Sequence, residues 1–330
     1  MIFVLSNPDD AHCQYVSEIL TRKGVCHLLF DFSTYPKKSS ISFEVSVDSN
    51  FVRLSVGQNL IDCRDVKSVW NRRKGAPSPP IGVNSQNVRE YITRESQFFL
   101  DSLPQILSPS VFWLSDPDAI GVASRKSYQL LVAKSIGFNI PKTLITNSAQ
   151  AAYKFLDDLD EVALKTICMP SIEFQEHNGV DSLIMYTKRM DADNLQGMLK
   201  QLQNCPTIIQ EYVPKKFEIR ITVVGDKVFA CAIFSQKSER TREDWRHYDL
   251  ANTPHESFEL PVEIEEKCRT LVRQLGLAFG CIDVIVTPQN NYVFLEINPN
   301  GQWLWIERLT GLPIGEAIAE LLVAPEQYHF

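Results

Sequence analysis

A chain of 330 residues with 44% hydrophobic and 22% charged side chains has the composition of a folded protein with two or three ordinary domains, not of a disordered one. Its net charge of −7 argues against nucleic acid as the main partner, and no apolar run approaches the ~18 residues of a membrane span, so no membrane partner is expected. Eight cysteines without a CxxC pair fit buried free thiols in a reducing cytoplasm, which is the expected location.

The opening MIFVLSN has no basic region ahead of its apolar residues. It reads as a first strand, Ile2–Leu5, and not as a signal peptide. Asp9–Lys23 reads as a helix with Val16, Ile19 and Leu20 on one face and Gly24 as its stop, followed by a strand over Val25–Phe30. Phe43–Val47 and Phe51–Val56 alternate as a strand pair about Asp48-Ser49-Asn50. Residues 1–60 hold only Gly24 and Gly57, so the dinucleotide fingerprint GxGxxG cannot be formed there. Val66–Trp70 is a further strand that runs into Asn71-Arg72-Arg73-Lys74-Gly75. Three cations at a strand end suit a phosphate or a carboxylate, and equally a solvated basic turn. Arg89–Leu107 reads as one helix.

A second pattern begins at Pro117. Ser124–Ile136 is amphipathic, with Tyr128, Leu131 and Ser135 down one side, and Gly137 and Pro141 prevent its continuation. A strand (Lys142–Ile145), a helix from Asn147 or Ser148 and a strand (Val162–Ile167) follow. Lys165 sits in that last apolar strand, where an ammonium is costly unless it meets an anion. Lys126, in the first turn of its helix, carries less information. Thr207–Val213 is a strand that empties at Pro214 into what reads as an interdomain hinge.

Phe217–Val224 and Lys227–Phe234 form a hairpin about Gly225-Asp226. One face carries Phe217, Ile219, Ile221 and Val223, and the other Glu218, Arg220 and Thr222. The loop Ser235–Tyr248 holds Lys237, Arg240, Arg242 and Arg246, which suits an anionic substrate or a mobile solvated segment. After a helix over Glu263–Gly276 come two strand-like runs, Ile282–Thr287 and Tyr292–Asn298, joined by Pro288-Gln289-Asn290-Asn291. A hairpin symmetric about Gln289–Asn290 sets Thr287 against Tyr292 and Asp283 against Glu296. Cross-strand Cβ atoms lie about 4.5–5.5 Å apart, so two carboxylates there need a cation between them. Asn298 shares their face. An all-oxygen set suits Mg²⁺ or Mn²⁺ better than zinc. A solvated hairpin face, or a pair neutralised by Arg or Lys from elsewhere, fits the spacing as well. Pro313–Val323 reads as a last helix.

The order of these features resembles the ATP-grasp ligases over roughly residues 117–320. The phrases VWNRRKG, IPKTLITN, LKT at Lys165, QEYVPKKFEIRITVVGDKVFA, TREDWR and LEINPNGQW resemble, within that superfamily, the graspetide synthetases, the microviridin-type peptide macrocyclases. The fold class this implies is α/β with α+β subdomains: an N-terminal pre-ATP-grasp α/β domain (1–116), a central ATP-grasp subdomain (117–208) and a C-terminal one with the metal site (209–330). By the same resemblance Lys126 and Lys165 contact ATP phosphates. The hinge residues Glu211, Tyr212 and Val213 meet adenine, with Val213 as the donor because Pro214 has no N–H. Glu218 binds ribose, and Asp283, Glu296 and Asn298 hold Mg²⁺, expected as two ions, with Mn²⁺ as a substitute. The phosphate-covering loop of ATP-grasp enzymes is glycine-rich, whereas Thr166–Gly179 holds only Gly179, so the cover here comes from a different backbone.

The activity implied is that of an ADP-forming carboxylate ligase. ATP turns an Asp or Glu side chain of a ribosomally made precursor peptide into an acyl phosphate, and a Thr or Ser hydroxyl or a Lys amine of the same peptide displaces phosphate to close an ester or amide ring. Arg220 and Arg246, with Lys165, are the candidate catalytic residues, the guanidinium forks matching the acceptor carboxylate or steadying the γ-phosphate. The partner expected is a peptide with a leader that docks away from the metals and an acidic, hydroxyl-rich core; a homodimer is an assembly open to the chain. The rivals are an ATP-grasp ligase adding amino acids to a peptide or protein C-terminus, and a nucleotide-binding regulator without ligase activity.

Overall fold

The structure, a computed structural model, describes residues 1–47, 50–56, 59–168, 171–176 and 179–328. It opens with strand β1 (Ile2–Leu5), helix α1 (Ala11–Arg22) and strand β2 (His27–Phe30). Asp10 caps α1, its carboxylate accepting from the His12 and Cys13 N–H groups, and Gly24 leaves the helix at φ +67°. Strands β3 (Ser39–Val45), β4 (Asn50–Val56) and β5 (Asn59–Asp62) form a separate antiparallel sheet. Strand β3 starts at Ser39 instead of Phe43, and Asp48 and Ser49 of the expected turn lie outside the described residues. Strand β6 (Ser68–Asn71), helices α2 (Gln86–Asp101) and α3 (Leu103–Ile106) and strand β7 (Phe112–Leu114) complete the N-terminal region. The helix expected over Arg89–Leu107 is thus two helices. The break falls at Ser102, where Pro104 in the first turn of α3 fits a helix start but not an interior. The main sheet here has the order β2-β1-β6-β7, with every pair parallel.

Next come α4 (Pro117–Ala123), α5 (Lys126–Ser135), β8 (Thr143–Thr146), α6 (Ala149–Leu156), β9 (Glu161–Lys165), β10 (Ser171–Glu176), β11 (Gly179–Ile184), β12 (Lys188–Asp191), α7 (Ala192–Gln196) and β13 (Thr207–Glu211). Strands β12-β9-β13-β8 make an antiparallel sheet, and β10 pairs only with β11, in antiparallel register. The segment read as a phosphate-covering loop is therefore largely a hairpin; residues 169–170 and 177–178 of it lie outside the described residues. The buried side of α5 is also not the expected one. Gln129, Val132 and Ala133 face inward, while Tyr128 is 39% and Leu131 67% exposed. The inward side docks on the last strand pair of the chain, where a backbone edge needs a polar partner more than an apolar one.

Strands β14 (Phe217–Val224), β15 (Lys227–Ile233) and β16 (His255–Ser257), helix α8 (Val262–Gln274), strands β17 (Phe279–Val286) and β18 (Tyr292–Asn298), and helices α9 (Leu304–Thr310) and α10 (Ile314–Val323) complete the chain. The five strands pair antiparallel in the order β16-β15-β14-β17-β18. Phe217, Ile219, Ile221 and Val223 of β14 pack in one core with Cys268 and Leu271 of α8, which leaves Glu218, Arg220 and Thr222 on the opposite face. Helix α10 lies where two regions meet. Ile314, Ile318 and Leu321 share a core with Val16, Ile19 and Leu20 of α1 and with Val224 and Phe279 of the five-stranded sheet. The N-terminal region and the last sheet are thereby joined through one apolar contact layer, whose burial is the main force holding them together. No helix among the described residues is long and apolar enough to cross a membrane.

Candidate active site

The site is built on a row of residues that crosses the five-stranded sheet. Register places Arg220 beside Asp283, and Asp283 beside Glu296. The hairpin reaches this pairing by a different route from the symmetric turn expected. Tyr292 faces Val286, not Thr287, and a bulge between Asp283 and Val284 restores the register before Glu296. Asn298 lies on the same side, its amide 3.4 Å from Asp283 Oδ2. Four cations, Arg220, Lys126, Lys165 and Arg246, act on the two carboxylates. Arg220 Nη1 donates to Asp283 Oδ2 at 2.7 Å, and the Lys126 ammonium lies 3.2 Å from Glu296 Oε2. Burial pushes the Asp283 carboxyl up, with Arg220 opposing. For Glu296 burial acts the same way, but Lys126, Lys165 and Arg246 outweigh it and hold the carboxyl below its ordinary range. Among the described residues no group of three His, Cys, Asp or Glu side chains gathers as a metal site, so a cation here relies on the Asn298 amide with the two carboxylates. Their oxygens fit a hard divalent ion, whose charge would relieve the mutual repulsion of the pair.

These carboxylates floor a cleft, open to solvent, between the β12-β9-β13-β8 sheet and the five-stranded sheet. Lys126, Lys165, Gln210, Glu211, Tyr212, Val213, Lys215 and Glu218 line it together with Asp283, Glu296 and Asn298. Every residue that the sequence analysis assigned to nucleotide or metal is therefore brought to one cleft. Lys126 Nζ also donates to the Thr166 carbonyl at 3.1 Å, and Lys165 Nζ to Gln210 Oε1 at 2.7 Å. Burial lowers the Lys165 ammonium to about 8, against the pull of Glu296. At the hinge the Glu211 N–H is taken by the Lys142 carbonyl and the Tyr212 N–H by the Glu161 carbonyl. The Val213 N–H has no backbone partner among the described residues. Glu218 is buried, and burial raises its carboxyl against the effect of Lys215, whose ammonium donates to it at 2.6 Å; the Ser235 hydroxyl holds its other oxygen.

On the far side of the carboxylates a second compartment is lined by Arg73, Arg220, Arg246, Trp245, Tyr248 and Trp305. Neither Arg220 nor Arg246 is an uncommitted cation. Arg246 makes a fork to Asp244, with Nε to Oδ1 at 2.8 Å and Nη2 to Oδ2 at 2.5 Å. Burial would raise the Asp244 carboxyl, but Arg246 holds it at about 2. Of the four loop cations only Arg246 lines the compartment, while Lys237, Arg240 and Arg242 are exposed. Of the basic triplet, Arg72 is buried within the protein and Arg73 alone reaches the compartment.

Two buried amides escaped the sequence analysis. Gln129 Nε2 donates to the Ala123 and Ile297 carbonyls at 2.6 and 2.8 Å, and its Oε1 accepts from the Ile297 N–H at 3.1 Å. It fixes the residue between Glu296 and Asn298. Its spacing of one helical turn from Lys126 was a readable signal. Gln210 holds Lys165 and donates to Thr143 Oγ1 at 2.9 Å; a polar residue in the middle of an apolar strand marked it.

A cleft between two antiparallel sheets, with Lys165 on one wall, opposed carboxylates on the other and Lys126 reaching both, fits the ATP-grasp class of ligases. Residues 123–322 match the RimK-like ATP-grasp domain and residues 1–120 the MvdD pre-ATP grasp domain, so the chain belongs to the RimK-like ATP-grasp family. Over 98% of its length it is similar to the RiPP-associated ATP-grasp ligase of Chryseobacterium gregarium, solved in complex with ADP and a leader and core peptide, at 28% identity, 96% coverage of that chain and a TM-score of 0.88. It is similar over the same share to the macrocyclases MdnC, bound with precursor peptide MdnA, and MdnB, both of Microcystis aeruginosa. Identities are 28% and 30%, coverage of those chains is 98%, and TM-scores are 0.83 and 0.76. Tetrahydromethanopterin:alpha-L-glutamate ligase of Methanocaldococcus jannaschii is 24% identical over 234 residues, 68% of this chain and 75% of that one.

Proposed function

We propose that the protein is an ATP-dependent peptide macrocyclase that links Asp or Glu side chains of a ribosomal precursor peptide to Thr or Ser hydroxyls or Lys amines of the same peptide. The observation that carries this reading is the place of Asp283 and Glu296 where two compartments meet, one lined by Lys126, Lys165 and Lys215, the other by Arg73, Arg220, Tyr248 and Trp305, with Trp245 and Arg246 lining both. Likeness over 98% of the chain to ligases solved with leader, core or precursor peptide supports it.

In this reading Val213 donates to adenine, Glu218 meets the ribose, and Lys126 and Lys165 lie along the phosphates. Asp283, Glu296 and Asn298 would hold Mg²⁺, taken as two ions, which would supply positive charge to neutralise the phosphates during transfer. A peptide carboxylate oxygen attacks the γ-phosphorus, a C–O–P bond forms as the β–γ bridge breaks, and ADP leaves. A hydroxyl or amine then attacks the acyl carbon, loses its proton, and displaces phosphate. Arg220 and Arg246, positioned by Asp283 and Asp244, present their remaining N–H groups to the acceptor carboxylate. The domains act as an N-terminal unit (1–116) and two ATP-grasp subdomains (117–208 and 209–330). A cytoplasmic location suits the eight free cysteines, of which Cys26, Cys168 and Cys205 are exposed and not buried as expected, and an acidic core suits the arginines of the second compartment; a homodimer is the assembly proposed.

The test is ADP release by the purified protein with a candidate precursor peptide alone, with that peptide and free L-glutamate together, and with neither. The macrocyclase forms ADP only with the peptide, whose product loses one water per ring. ADP formed only when glutamate is added to the peptide, with the peptide gaining the mass of glutamate less one water, would instead make the enzyme an amino-acid-adding ligase, as the glutamate-ligase likeness allows.

A further inference from the structure

The arginines that follow β6 part company in space. Arg73 reaches the second compartment, while the Arg72 side chain is 0% exposed. Arg72 Nη1 donates to the Asn300 carbonyl at 2.7 Å, to Asn300 Oδ1 at 3.1 Å and to the Gly301 carbonyl at 3.0 Å. Asn300 answers with its own amide, Nδ2 donating to the Asn71 and Arg72 carbonyls at 3.2 and 2.8 Å. Asp10, the cap of α1, lies 3.6 Å from Arg72 Nε, yet Nε and Nη2 make no hydrogen bond. A buried guanidinium with two nitrogens unpartnered is a poor source of stability. Its three acceptors, all on two consecutive residues, indicate what it does.

Those two residues follow Asn298 after a single intervening residue, Pro299. The Gly301 N–H closes a turn on the Asn298 carbonyl at 3.1 Å. From the other side Arg220 Nη2 donates to the Gln302 carbonyl at 3.4 Å. A Cβ on Gly301 would lie 2.5 Å from Cys281 Cβ and 2.9 Å from Arg220 Nη2, so the segment is also pressed against β17. Two guanidiniums thus grip one turn, Arg72 from the N-terminal sheet and Arg220 from the five-stranded sheet.

We propose that Arg72 is a positioning residue for the metal–nucleotide site. Through Asn300 and Gly301 it fixes the 298–301 turn, and with it the Asn298 amide and the C-terminal end of β18 that carries Glu296. This rests on the reading of Asp283, Glu296 and Asn298 as the metal-holding set. The N-terminal region then contributes to phosphoryl transfer without touching substrate. A direct phosphate or carboxylate contact by Arg72 is excluded by its burial and by its three acceptors within the protein.

The test is Mn²⁺ binding to the protein–ADP complex, followed by electron paramagnetic resonance at a temperature well below each variant's melting point. Partners that orient metal ligands change affinity by about 10–100-fold. Arg72→Met is expected to raise the Mn²⁺ half-saturation concentration by that factor, and Arg72→Lys, which reaches fewer carbonyls, by less. ADP binding without metal stays within about twofold in both. Asn300→Ala removes the reciprocal bonds without stranding a buried charge; it carries the test if Arg72→Met does not fold, and a rise in half-saturation is expected there too. Unchanged Mn²⁺ binding in Arg72→Lys and Asn300→Ala, alongside its loss in Glu296→Gln, overturns the positioning role alone. Unchanged binding in Glu296→Gln overturns the metal reading on which the inference rests.

Discussion

The two sheets that enclose the cleft are built to different standards. In the five-stranded sheet every residue of β14 and β17 is buried, whereas β8 and β9 of the four-stranded sheet are half-buried over most of their length. Asp283 rides on β17 and Glu296 on the neighbouring β18; Lys165 ends β9. Lys126 links the two, since α5 packs on β18 while its ammonium also reaches the Thr166 carbonyl beyond β9. The difference teaches where precision is needed. Asp283 is mounted on a strand buried along its whole length; Glu296 is on the edge strand β18, anchored by the buried Val293, Phe294 and Ile297, so neither carboxylate can shift without opening a core. The lysine that must meet and release a nucleotide sits on the thinner wall, where local opening costs less.

The sharpest way to break this contrast is Glu296→Gln, which keeps shape and removes one charge from the rigid wall. ADP formation should fall by about 10³-fold or more, the scale seen when one group that balances phosphoryl-transfer charge is lost. Leader-peptide binding, measured by fluorescence anisotropy, should stay near the wild-type level. Loss of both together would make the hairpin structural and the assignment wrong.

Lys165 tests the opposite wall. Its ammonium is held near 8, so the charged form that meets phosphate is lost as pH rises through that value in the free enzyme. The rate at subsaturating ATP should therefore decline above about pH 8, and Lys165→Arg should move the decline upward. Lys165→Met should lower kcat/KM for ATP about 10–100-fold, as expected for one charge-assisted hydrogen bond, and flatten the profile. Stability should respond in the opposite sense. Between about 8 and 10.5 the unfolded chain keeps a proton the native state has released, so this group's contribution rises with pH. A rate at low ATP that is flat to pH 9 would remove Lys165 from the phosphate site.

Much of this site was legible because its signals are local. Period-two alternation set Glu218 and Arg220 apart from Phe217 and Ile219, and an ammonium inside an apolar strand singled out Lys165. The opposition of Asp283 and Glu296 was read correctly from an incorrect turn, since the bulge offsets the shift. What escaped is long-range. Arg72 meets a turn 228 residues away, and Gln129 a strand 168 residues away. No pattern in one segment reveals a partner at that separation. The inward side of α5 was misjudged for the same reason, because a backbone edge supplied by β18 made Gln129 a better inward residue than Leu131. The hairpin β10–β11 had a local signal that was passed over, the alternation of Ile172, Glu173, Phe174 and Gln175.

Gln129 gives the smallest catalytic effect and the finest test of the rigid wall. Its amide is the partner of both the N–H and the carbonyl of Ile297, and of the Ala123 carbonyl. Gln129→Met fills nearly the same volume but strands these buried backbone groups. Each unsatisfied group costs about 1–3 kcal/mol, so a loss of about 2–4 kcal/mol in a urea titration is expected after partial relaxation. ADP formation should fall only several-fold, because Asp283 and Glu296 keep their charges and only the path of β18 between Glu296 and Asn298 loosens. If stability falls as stated while the Mg²⁺ dependence of ADP formation is unmoved, then the clamp serves α5 packing alone. The placement of Glu296 and Asn298 would then depend on Arg220 and on the turn that follows them.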